Sequence, residues 1–212
     1  TLAARTHLPK PTLHRLLASL AAHDLVEQQE EGRYALGVGL VRLGLGAQAV
    51  DPFVRVARGE LERAVRAFGE TFFLVAARAG RLVVLDKVEG PGLLRAAPAI
   101  GTEVPADVTA SGRLYLGIAP EALTENAQTR RVTKRAIERA VEQGFDLNDG
   151  AWIEGMFVVA APVVALGRMF GTVACAAVAS QLAGERRDEA IQRTRKLAER
   201  ISRALGARQE ES

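Results

Sequence analysis

The chain has 212 residues, 48% of them apolar and 25% charged, with a formal net charge of +3 and a pI near 9.4. That length holds one large domain or a small domain joined to a medium one, and the charge permits a polyanionic partner without demanding one. A single cysteine, Cys175, excludes an internal disulfide framework and a cysteine-rich zinc site, and points to a reducing, cytoplasmic setting.

In chain order, "LAARTH" gives a short helical segment with Leu2, Ala3 and Leu8 inward. A tight "HLPK" connection leads to a second helix, from about residue 11 to His23, with Pro11 in its first turn and Leu13, Leu16, Leu17 and Leu20 forming one apolar stripe. This is a helix-turn-helix pattern. In "LVEQQEEGRYALG" two short strands flank a glycine-containing turn, which makes a wing. The apolar, glycine-rich segment 37–50 reads as a linker helix, with Leu40, Val41 and Leu43 on one face. From residue 51 a second domain begins with a helix that carries Val54, Leu61, Val65 and Phe68 and ends at Gly69.

Two strands follow, "TFFLVAA" and "RLVVLDKVEG", joined by "RAG" as a hairpin. The stretch "GLLRAAPAIGTEVPADVTA" reads as a shorter strand and a loop, and 111–118 and 130–143 as helices, the latter closed by Gly144. Strands at 156–164 and 170–179 are joined through "LGRM", and a helix over about 185–205 turns Ile191, Leu197, Ile201 and Leu205 inward. The order predicts an α+β fold with an antiparallel sheet and helices packed on it. The longest apolar run, "FVVAAPVVAL" at 157–166, is too short to span a bilayer and contains Pro162, and the N-terminus shows no signal-peptide pattern.

The string "LAARTHLPKPTLHRLLASL…LVEQ…GRYALG" resembles the winged helix-turn-helix of the isocitrate lyase regulator (IclR) family of bacterial transcription factors. "DKVEGP", "P…TASGRLYLG" and "GFDLNDGAWIEGMFVVAAPV", followed by the last strand and helix, resemble that family's effector domain in matching order. The resemblance implies a winged helix-turn-helix over 1–36, a linker helix over 37–50 and a GAF-like effector domain over 51–212. It also implies homodimers or homotetramers on a palindromic operator in double-stranded DNA, and a small-molecule effector. In the family a further helix precedes the one at "LAARTH"; its absence from this sequence is read as truncation or as residues not seen here.

Lys10, Thr12, His14, Arg15 and Ser19 lie off the leucine stripe of the second helix and are the candidate DNA readers. Lys10 and Thr12 suit phosphate at a helix N-terminus, Arg15 suits a guanine edge, and Arg33 at the wing tip suits the minor groove. The competing reading is a winged helix that makes protein contacts, attached to a ligand sensor. The first 50 residues carry five Lys/Arg against four Asp/Glu, so strong non-specific DNA affinity is not expected and binding should depend on dimerisation. His7, His14 and His23 show no helical HxxxH pair, and a metal would need carboxylate or thiol partners at suitable geometry, so no metal is expected.

For the effector site the resemblance implies three stretches: Thr109, Ala110 and Ser111 at a helix start; Asn148, Asp149, Met156 and Val158; and Cys175 with Ala177 on the last strand. Family members that take two- or three-carbon acids have an aspartate, a cysteine and two serines at the positions aligned with Asn148, Val158, Cys175 and Ala177. Here those positions are less polar, and Trp152 adds apolar surface, so the expected effector is a larger, partly apolar acid such as an aromatic acid, anchored by Arg95 or Ser111. No cofactor is implied, and catalysis is not expected. Cys175 sits mid-strand in apolar surroundings, no histidine follows residue 23, and there is no phosphate loop or nucleophile elbow.

Overall fold

The computed structural model describes residues 2–92, 97–124 and 132–210, and the chain divides into two units, Thr1–Asp51 and Pro52–Ser212. In the first unit α1 (Leu2–Thr6) and α2 (Lys10–Ala22) are joined through His7, whose φ of 55° turns the chain, and Pro9 immediately precedes α2. β1 (Val26–Gln28) and β2 (Tyr34–Leu36) pair antiparallel, with Val26 opposite Leu36, around a turn in which Glu31 and Gly32 are both left-handed. α3 (Val38–Val50) follows and belongs to this unit.

The leucine stripe of α2 is only partly covered: Leu13 and Leu17 are half-buried and Leu16 and Leu20 are exposed. The inward positions expected in α1 follow suit, with Ala3 and Leu8 half-buried and Leu2 exposed. Among the described residues of this unit only Gly37 and Gly39 are buried. Both sit against backbone. A Cβ on Gly37 would lie 2.1 Å from the Asp24 carbonyl oxygen, and one on Gly39 2.7 Å from that of His23. Hydrogen bonds from Gly37 N to the Leu25 carbonyl (2.9 Å) and from Gly39 N to the Asp24 carbonyl (2.8 Å) close the corner between α2, the wing and α3. An exposed ion pair, Arg42 to Asp24 at 2.9 Å, crosses it.

The second unit is an α+β sandwich. α4 (Pro52–Phe68) ends at Gly69, whose φ is 82°. β3 (Thr71–Arg78) and β4 (Arg81–Val88) form a hairpin through Ala79 and Gly80, both with positive φ, the backbone that a two-residue turn between twisted strands requires. α5 (Ala110–Ile118) and α6 (Lys134–Gln143) follow, α6 closed by left-handed Gly144. β5 (Asp146–Asp149), β6 (Met156–Ala165) and β7 (Arg168–Val178) complete an antiparallel sheet of order β4-β3-β7-β6-β5, and α7 (Glu185–Glu210) ends the chain. The Leu166–Gly167 turn between β6 and β7 repeats the positive-φ pair of the first hairpin.

Each face of the sheet has its own core. α4 and α7 cover one, through Phe53, Leu61, Phe72, Leu74, Leu197 and Ile201. α5, α6 and the loop at 104–106 cover the other, through Phe73, Val75, Val84, Leu114, Tyr115 and Ala140.

Four expectations change. β5 is a strand where none was expected, and the anticipated strand between 92 and 110 is, among described residues, a single bridge of Glu103 to Val83 on the outer edge of β4. α6 starts at Lys134, residues 130 and 131 lying outside the described set, and α7 runs on to Glu210 with Ile191 only half-buried.

Candidate effector face and DNA-reading helix

Strand register decides which side chains share the α5 side of the sheet. Thr71, Ala176, Val158 and Asn148 are opposed across β3, β7, β6 and β5, and the next row is Phe73, Ala174, Ala160 and Asp146. Above them stands the N-terminus of α5. Thr109 caps it: its hydroxyl accepts from Gly112 N (3.1 Å) and donates to the Pro105 carbonyl (2.7 Å). That cap leaves the amides of Ala110 and Ser111 as the first-turn donors that no helical carbonyl can reach. The buried Thr172 hydroxyl donates to Ser111 Oγ at 2.8 Å, so the Ser111 proton remains to be given to another acceptor.

α5 is also tied to β5 by charge. Arg113 Nε donates to the Asp146 carboxylate and its Nη2 donates to the Leu147 carbonyl at 2.7 Å. Burial lifts the Asp146 carboxyl above its usual range, opposed by the Arg113 charge and hydrogen bond. Asn148, also buried, accepts from Ala151 N at 3.0 Å and shapes the turn that carries Trp152.

The residues expected at the effector site separate into two groups. Thr109, Ala110, Ser111, Asn148, Met156 and Val158 lie on the α5 side. Cys175 and Ala177 do not: they point into the α4/α7 core, and Asp149 turns the same way, 3.5 Å from Arg187 of α7. The α5-side residues of β7 include Thr172, Ala174 and Ala176, the two alanines one position from those named. β7 is buried on both faces, so its sequence lacks the polar/apolar alternation that sets the phase of a half-buried strand. Burial pushes the Cys175 thiol well above its ordinary range, so the thiol stays protonated and inert. Arg95 lies outside the described residues.

In the first unit Lys10 opens α2, and Lys10, His14, Arg15 and Ser19 are exposed while Thr12 is half-buried. Arg33 sits at the wing, 3.0 Å from Glu31. Glu27, Glu30 and Glu31 outnumber it there, a local excess that the charge balance over the first 50 residues averages out and that opposes close approach of the wing to phosphate. Among the described residues no group of His, Cys, Asp and Glu is placed to hold a metal, and no helix is long and apolar enough to cross a membrane.

Comparison with known proteins agrees with both units. Residues 1–30 match the IclR helix-turn-helix domain, and residues 49–203 match the bacterial transcriptional regulator IclR C-terminal domain. The HTH-type transcriptional regulator XynR of Escherichia coli is 32% identical over 171 residues, covering 74% of this chain and 68% of that protein. The solved structure of an IclR transcriptional regulator from Alicyclobacillus acidocaldarius superposes with a TM-score of 0.79 at 25% identity, covering 96% of this chain and 88% of that one. An IclR homolog from Microbacterium hydrocarbonoxydans, solved with 4-hydroxybenzoate, gives 0.79 at 19% identity over 97% of this chain and 89% of that one. With a helix-turn-helix unit, a ligand-domain sheet and family matches across most of its length, the chain belongs to the IclR family of bacterial transcriptional regulators.

Proposed function

We propose that this regulator recognises a partly apolar organic acid, of the aromatic acid class, on the α5 side of its sheet. The observation that carries the reading is the pairing of free helix amides at Ala110 and Ser111 with a floor of Val158, Ala174, Ala176 and Met156. A carboxylate suits the amides and the Ser111 hydroxyl, and an apolar body suits the floor and Trp152. The 4-hydroxybenzoate held by the Microbacterium relative supports this class. The expected result is a rise in thermal midpoint with benzoate or 4-hydroxybenzoate and none with glyoxylate, because a ligand that binds the native state alone raises apparent stability. Micromolar binding of glyoxylate by isothermal titration contradicts the assignment.

On the DNA side α2 is the helix that enters the major groove, with Arg15 on a guanine edge, His14 and Ser19 beside it, and Lys10 and Thr12 at the phosphate. Arg15→Ala in the full-length protein is expected to abolish the specific band in a gel shift, since a bidentate contact is worth about 1–3 kcal/mol at each half-site. Unchanged binding excludes α2 as the reader. Exposed Leu43, Leu45, Val41 and Val50 of α3 support assembly as a homodimer or homotetramer.

A further inference from the structure

The face of the sheet away from α5 carries a cavity that the effector reading does not use. α4 and α7 pack together there, and where α4 presents the small Ala64 and Ala67 between Glu60, Arg63 and α7 a cleft of 680 Å³ remains. Sites for small molecules span about 300–1,000 Å³. Ala64 and Ala67 form its accessible apolar wall; the Phe72 ring lies beneath, fully buried, and meets Phe68 edge-on with centroids 6.5 Å apart.

The rim is basic. Arg63, Arg193, Lys196 and Arg200 line it together with two carboxylates, Glu60 and Glu189. Glu60 serves two arginines, accepting from Arg63 and from Arg200 Nε at 2.8 Å, while Glu189 accepts from Arg193 at 2.7 Å. Burial opposes the charge on Glu60, but hydrogen bonds and charge from Arg200 and Arg63 outweigh it and hold the carboxyl below its usual range. Lys196 is exposed and has no ion-pair partner among the described residues. Four cations therefore face two anions beside an apolar wall of Ala64 and Ala67.

We propose that this cleft is a second small-molecule site, for an amphipathic organic anion. An aryl carboxylate fits it, with its ring against Ala64 and Ala67 and its carboxylate at Lys196 and Arg200. The excess of cations favours an anion over a cationic ligand. Phe72 faces the cleft and its neighbour Phe73 faces the α5 side, so the two sites share one strand.

The test titrates benzoate into the full chain while recording both heat and the fluorescence of Trp152, the chain's one tryptophan, which packs on the α5 side. The expected result is a binding event in the heat that leaves Trp152 unchanged. Lys196→Glu weakens that event about tenfold or more, equivalent to about 1.4 kcal/mol. Lys196→Arg retains it, Ala67→Leu weakens it by crowding the apolar wall, and none of the three alters any Trp152 response. Loss of the Trp152 response alone defeats the α5-side reading and leaves this one standing. A single event that tracks Trp152, or an unchanged event in both Lys196→Glu and Ala67→Leu, overturns the second site. Altered sedimentation of unliganded Ala67→Leu also overturns it, because the cleft is then a contact between copies of the chain.

Discussion

Gly112→Ala is expected to destabilise the second unit by about 2–4 kcal/mol and to abolish the ligand-induced thermal shift. In an exposed helix the same change stabilises by about 1 kcal/mol, through better helix propensity. Here the sign reverses because the new Cβ would lie 2.1 Å from the Ala106 carbonyl oxygen and 2.4 Å from the Ala106 Cα. Both obstacles are backbone and cannot rotate aside. The loop they belong to is tied to the helix start, through the Thr109 bonds to Pro105 and Gly112, so the helix must lift as a whole or its cap must break. Gly206→Ala in α7 is the control: nothing lies within 4 Å of its Cβ, and a small gain in the denaturation midpoint is expected. Equal midpoints for Gly112→Ala and the parent chain contradict the close approach.

Arg113→Ala is expected to cost about 3–5 kcal/mol near pH 7, because it strands a buried carboxylate. The side chains concerned are 15% exposed for Arg113 and 6% for Asp146, so water can replace little of what is lost. Burial, the larger influence, already raises the Asp146 carboxyl above its unfolded value of 3.8 against the pull of Arg113. A carboxyl whose pKa is higher in the folded state binds its proton more tightly there. Its contribution is therefore present below the unfolded pKa and lost as pH rises through the folded one. Removing Arg113 raises the folded pKa further, so the penalty of the substitution is greatest at neutral pH and shrinks on acidification. Urea midpoints of parent and variant at about pH 7 and about pH 5 measure this. A penalty that grows toward acid contradicts the assignment of Asp146 as the stranded group.

Legibility in the sequence followed the strength of the local rule. Helices with one polar face, α2 and α4, and turns that need positive φ, at "RAG" and "LGRM", declared themselves because periodicity and turn chemistry are encoded in adjacent residues. β5 did not, since three of the four residues of "DLND" are Asp or Asn, which strands usually avoid. Its aspartate is held by Arg113, 33 positions earlier, and no local pattern announces such a partner. The same limit governs the effector face. Ser111 and Thr109 were recognisable as a helix start, whereas the choice between Cys175 and Ala174, or Ala177 and Ala176, depends on which face of a doubly buried strand meets α5. Only the register with β3, set by Phe72 and Phe73, fixes it.

Gly37 and Gly39 have a mechanical meaning beyond stability. With the start of α3 pressed onto the 23–25 backbone and bonded there twice, the joint between α3 and the α2–wing pair has no slack in which to absorb bending. A torque applied at the start of α3 is thus passed to the end of α2 and to the wing together, as one rotation.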